Sequence, residues 1–260
     1  MTELDLAPLR SVPLREVFLE RFMGMLLSGR LRPGDFLPPE RELATRLRVS
    51  RPVVHDGLME LQARGVVRVH PRLGTEVLDV RRSGSLAFLE ALFRFQEGGL
   101  DPDWLREAQA VRSLIECQVA REAARLRAGE DLRELRDLLD REDRTGPERR
   151  EDWVELDFRF HHALAMASGN RLFPMVINSF GPAWRTLAGE FFRDPQVVPG
   201  VRRGHRLIVE AVTAGNAEEA ARAMADLIDE GTRVILAGGA GDRGTPGPAG
   251  PDRTEGGSDG

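Results

Sequence analysis

Between Leu31 and Val77 the chain is punctuated so closely that few folds can hold it. Pro33-Gly34 signals a turn, and Leu37-Pro38-Pro39-Glu40 opens a short helix, with Pro39 near its first turn and acids just inside. The run ERELATRL sets Leu43 and Leu47 on one face at i,i+4 spacing. Arg48-Val49 turns the chain, Ser50 offers an N-cap, and Pro52 is tolerated in the first turn of the helix that follows. That second helix carries Val54, Leu58 and Leu61 on its inner face and closes at Gly65. Val66–Val69 and Thr75–Leu78 are β-branched runs around a Pro/Gly loop, HPRLG, and predict a hairpin. Two short helices, a tight turn and a hairpin predict a winged helix-turn-helix, with the second helix in the DNA major groove.

A formal net charge of -5 argues on its own against a nucleic-acid partner. The distribution of that charge points the other way. Between Arg41 and Arg72 there are seven arginines and three acids, an excess of four positive charges on a short segment. Phosphate neutralisation needs such a local patch, and charge elsewhere matters less. The chain has no lysine, so every side-chain cation apart from histidine is a guanidinium, a shape suited to bidentate contacts.

The motifs LRPGDFLPPERELA, VSRPVV, LQARGVVRV and LGTEV, in that order, resemble the DNA-binding domain of the GntR family of bacterial transcription regulators. The resemblance covers nearly all of residues 12–79 and implies DNA contacts at Arg41 and Arg51, with Ser50 beside them. His55 stands where the family usually has a further arginine. It cannot fork onto guanine O6 and N7, which implies a shifted operator sequence. Gly74 at the wing tip allows close backbone approach to the sugar-phosphate edge, and Arg72 is a candidate phosphate or minor-groove contact. For Arg46, Arg48 and Arg64 a solvated helix face and a DNA contact both stay open.

The predicted fold is mainly α: a winged helix-turn-helix with a small β-wing, then an all-α bundle of six or seven helices. Residues 1–11 are expected to form a flexible arm, 12–79 the DNA-binding domain, 80–85 a linker, 86–237 an effector-binding and dimerisation domain, and 238–260 a disordered tail rich in Gly and Pro. Helical periodicity runs from Leu86 onward, with breaks expected at Gly98-Gly99, Thr145-Gly146-Pro147 and Gly169, and a kink or split at Gly181-Pro182. No apolar run approaches the roughly 18 to 20 residues that span a bilayer. The start, MTELDLAPLR, lacks an apolar export core, and Cys117 is alone; both fit a cytoplasmic protein.

Three stretches of the bundle resemble the effector domain of the FadR subfamily: VRSLIE with Arg112 and Glu116, DFRFHHALAMASGN from Asp157, and HRLIVEAVTAGNAEEAARAM from His205. The resemblance implies a divalent metal (zinc, nickel or manganese) held by one Asp and three His. Asp157, His161 and His205 match the first three, and the i,i+4 spacing of the first pair suits chelation. The fourth position is Leu227, which cannot ligate; Asp226 beside it lies about 100° around a helix. One metal per chain, and a metal-free pocket in which the histidines bind effector directly, both stay open. Arg112 is the candidate grip for an effector carboxylate, its bland alternative being an ion pair with Glu116. His162 points to a neighbouring face, and Trp104, Trp153 and Trp184 are assigned no chemistry. The whole implies a homodimeric, ligand-responsive regulator on a palindromic operator, by default a repressor released by a small metabolic acid. The alternatives are a metal-dependent hydrolase using Asp157, His161 and His205, and a DNA-binding protein whose bundle only dimerises.

Overall fold

The computed structural model describes residues 13–94, 101–126 and 129–241. The expected arm, the Gly98-Gly99 break and residues 242–260 of the expected tail lie outside the described residues. Helix α1 (Leu14–Leu27) leads into a two-residue strand β1 (Phe36–Leu37), then α2 (Glu40–Leu47) and α3 (Arg51–Ala63). The wing is β2 (Val67–His70) and β3 (Gly74–Val77), antiparallel, with Val67 opposite Val77 and His70 opposite Gly74. β1 adds to the other edge of β3 and makes a three-stranded sheet, order β1-β3-β2. Sequence periodicity missed β1 because two residues are too few to display a period of two.

The core of this half forms as the second helix predicts: Val54, Leu58 and Leu61 are buried against Phe18 and Met23 of α1. Gly57 is what lets α1 and α3 close, since a β-carbon there would sit 2.3 Å from the Phe18 ring. On α1, Phe18, Leu19, Phe22 and Met23 are buried while Leu14 and Val17 are exposed.

The expected linker is partly helical. Asp79 accepts a hydrogen bond from the Arg81 backbone N–H and caps a single turn, α4 (Val80–Ser83). Gly65 makes room for it, with φ +74° and an added β-carbon only 1.8 Å from the Ser83 carbonyl. Seven α-helices follow among the described residues: α5 (Leu86–Arg94), α6 (Pro102–Leu126), α7 (Gly129–Arg144), α8 (Arg150–Ala167), α9 (Leu172–Phe191), α10 (Val198–Ala214) and α11 (Ala217–Gly241). Helix α9 is continuous through Pro182 and is not split. Helix α11 runs on to Gly241, into the stretch expected to be tail; alanine and branched apolar residues before it carry the helix past the first glycines. α8 is central: Trp153, Phe160 and Leu164 are fully buried among α6, α7, α9 and α10. No helix among the described residues is long and apolar enough to cross a membrane.

Candidate functional site

Two surfaces carry the candidate residues. On the winged half, Arg41, Ser50, Arg51, His55 and Arg72 are all exposed. Ser50 is the N-cap of α3 by backbone geometry, but its side chain makes no capping hydrogen bond. Among the described residues the guanidinium groups of Arg41, Arg51 and Arg72 have no acid or carbonyl partner, so they face outward with their donors unspent. Arg72 and Gly74 both have positive φ, 68° and 111°, which shapes the wing tip and needs glycine at the second position. Arg46 and Arg64, unlike Arg41, Arg51 and Arg72, are held in ion pairs. Arg46 pairs with Glu42 on its own helix. Arg64 is only 12 % exposed and binds Glu60 at 2.9 Å, Glu90 at 3.6 Å and the Ala87 carbonyl at 2.6 Å. Arg48 forms the turn between α2 and α3 in the left-handed region, at φ 56°.

His55 bonds Glu40 through Nδ1 at 3.0 Å. That hydrogen bond and the Glu40 charge, with a smaller push from Asp56, raise the imidazole above its ordinary 6.5. The ring is therefore cationic below its raised pKa and neutral above it. Operator affinity is expected to fall as pH rises through that pKa, and the salt slope of binding to become shallower by about one. Fluorescence anisotropy between about pH 6 and pH 8.5 checks this; a wild-type profile as flat as that of His55→Gln would exclude His55 from the interface.

The second surface lies inside the bundle. Asp157 and His161, one turn apart on α8, meet His205 from α10. One ligand atom from each lies within 4.8 Å of the other two. Asp157 Oδ1 is 3.9 Å from His161 Nε2 and 3.7 Å from His205 Nε2. Behind each ring stands a buried carboxylate: Glu116 of α6 on His161 Nδ1, and Glu142 of α7 on His205 Nδ1 at 2.7 Å. Burial alone would push the Glu116 carboxyl up, but the charges of His161 and Arg112 hold it below the usual carboxylate range. Burial alone would push the His205 imidazole down, but the charge and hydrogen bond of Glu142, with Asp157, hold it above its ordinary value. Glu142 Oε2 and His205 Nε2 are buried without a hydrogen-bond partner.

Arg112 does reach this centre, and it does so through the ion pair offered as its alternative. Its Nε donates to Glu116 at 2.7 Å, its Nη2 lies 3.3 Å from His161 Nε2, and its guanidinium stacks 3.5 Å from the Trp184 ring centroid. Trp184, expected to carry no chemistry, does carry some: its indole N–H donates to Asp157 Oδ2 at 2.7 Å. Trp153 is buried and donates its indole N–H to the Gly146 carbonyl at 3.0 Å, and His162 stacks on Phe158 away from the centre. Beside the centre is a cavity of about 80 Å³. Arg112, Glu116, Asp157 and His161 line its polar side, and His205 lies behind it. Leu227, at the place expected for a fourth ligand, lines the same cavity, while Asp226 is exposed and does not replace it.

Glu142 escaped sequence reasoning altogether. It lies in DREDRTG, among acids and arginines of a strongly amphipathic helix, and nothing in its spacing separates it from its solvated neighbours.

Residues 19–77 match the family described as bacterial regulatory proteins, gntR family, and residues 107–230 match the FCD domain. The HTH-type transcriptional regulator Mce2R of Mycobacterium tuberculosis is 30% identical over 88% of this chain and 93% of its own length. The HTH-type transcriptional regulator LutR of Bacillus subtilis is 30% identical over 77% of this chain and 91% of its own. Among solved structures, Lar of Listeria monocytogenes superposes with a TM-score of 0.61 at 16% identity, over 89% of this chain and 99% of that one, a likeness of fold. The hydrolase alternative finds no support in these comparisons.

Proposed function

Because the chain belongs to the GntR family of bacterial transcription regulators, with an FCD domain in its C-terminal half, we propose that it is a homodimeric repressor released from a palindromic operator by a small carboxylate. As a GntR/FCD regulator it is a ligand-responsive DNA-binding protein. The finer reading is carried by one observation: the wall of the cavity is also part of the winged half. Leu89 and Phe93 of α5 line the cavity, while Phe88, Ala91 and Leu92 of the same helix pack into the core around α1 and α3.

The contacts between α5 and the recognition helix support a direct route. Arg64, the C-cap of α3, donates to the Ala87 carbonyl and pairs with Glu90, and the Ser85 N–H donates back to the Arg64 carbonyl at 3.1 Å. A ligand seated against Leu89 and Phe93 would bear on a helix fastened to the end of α3.

The residues fit a divalent cation. Three acceptor atoms converge on one point, and His205 Nε2 among them is buried with no partner. Asp157, His161 and His205 would hold the ion, and their nitrogen and oxygen donors suit zinc, nickel or manganese. Bound there, it would supply a Lewis-acidic point for the ligand carboxylate. Arg112 and a cation compete for the same His161 nitrogen, and Arg112 would grip the carboxylate bidentately.

The test is operator binding by anisotropy, with zinc-loaded protein and a panel of short carboxylic acids. An effective acid is expected to weaken binding by about 5- to 150-fold. In Arg64→Ala the acid should still raise the melting temperature but should lose most of its effect on operator affinity. A saturating acid that tightens operator binding would overturn the repressor reading.

A further inference from the structure

Glu116 and Glu142 repeat one arrangement on two different helices. Each is buried, 1% and 0% exposed, and each spends an oxygen on Nδ1 of one histidine of the centre. With Nδ1–H given to a carboxylate, Nε2 is the atom left to face inward. Both Nε2 atoms then look toward Asp157 Oδ1. The orientation is backed from behind. Phe160 stacks on the His205 ring at 3.7 Å between centroids, and Arg202 of α10 donates to the Glu142 carbonyl at 2.8 Å, fixing the end of α7. With both imidazoles neutral, the state that binds a cation, the centre holds three carboxylates against one guanidinium, Arg112, an excess of two negative charges on largely buried groups.

We propose that Glu116 and Glu142 are the positioning residues of a divalent-cation centre at Asp157, His161 and His205, and that their hold on both rings makes three ligands sufficient where Leu227 takes the fourth place. This rests on the cation reading above. The two carboxylates do not touch the ion. They act through the rings, by fixing the tautomer and orientation and by raising the basicity of Nε2.

The experiment is calorimetric titration of the chelator-stripped full-length chain with zinc, for wild type, Glu142→Gln, Glu142→Asp and Asp157→Asn. The positioning role predicts that Glu142→Gln weakens zinc binding about 10- to 100-fold, that Glu142→Asp recovers part of the loss, and that the downfield Nδ1–H proton of His205 moves upfield in the zinc-loaded Gln variant. Asp157→Asn should weaken zinc binding as a lost ligand does, with that proton unmoved. If Glu142→Gln does not fold, Glu116→Gln asks the same question through His161. Wild type that binds zinc, beside a folded Gln variant that binds it equally well, would overturn the positioning role alone. Wild type that takes up no zinc, nickel or manganese would overturn the cation reading and this proposal with it.

Discussion

Operator binding by Arg51→Ala is expected to be weaker than wild type by about 1–3 kcal/mol for each half-site, with specificity relaxed at the base pair it reads. Arg51 is the first residue of α3, exposed, with its guanidinium unspent among the described residues. The first turn of a recognition helix is the part that meets base edges. Two half-sites should compound the loss on a palindrome. Arg46→Ala is the control from the same basic stretch: Arg46 is tied to Glu42 and should change binding far less. The melting temperature of Arg51→Ala should stay near wild type, since an exposed side chain without partners adds little to stability. Anisotropy on a selected operator, with melting curves alongside, reads both. Unchanged affinity would take the N-terminus of α3 out of the groove.

How much of this was legible in the sequence depended on whether a residue's role followed from its own neighbourhood. The recognition helix was legible because Ser50, Pro52, Val54, Leu58, Leu61 and Gly65 report cap, face and stop within one short window. Asp157 and His161 were legible for the same reason, as two ligand types one turn apart. Partners from other helices were harder. Glu116 sits on the inner face of α6 and is 1% exposed, whereas the apolar Val111 of the same helix is 48% exposed. A buried acid on a core face violates the pattern that reveals helices, and only the His161 ring of α8 and the Arg112 guanidinium explain it. No chemistry was legible at Trp184, because its role needs Asp157 across a helix interface. Arg64 stayed ambiguous because two of the three groups that claim it, Glu90 and the Ala87 carbonyl, lie beyond the wing on α5. Local signals marked the candidate DNA-contact residues, and tertiary contacts alone showed how α3 is joined to the cavity.

Arg112→Ala should separate the two uses of the bundle centre because it is expected to weaken one and not the other. The guanidinium faces a carboxylate that is 1% exposed, and removing one partner of a buried pair costs about 3–5 kcal/mol when the other is left uncompensated. Glu116 keeps its bond to His161, so the low end applies, about 3 kcal/mol and a melting temperature lower by roughly 6–12 °C. Effector binding should fall at least tenfold, since the bidentate grip on a carboxylate goes with the guanidinium. Arg112→Lys should restore part of the stability but little of the effector affinity, a point charge being no fork. Zinc affinity should hold or rise in Arg112→Ala: the residue that competes for His161 Nε2 is gone, and the centre is more negative by one charge. An arginine that served only to hold the fold together would lose zinc and effector in step with stability. Effector affinity falling while zinc affinity does not is the result that makes Arg112 a ligand-binding residue, and parallel losses in both would make it a structural ion pair.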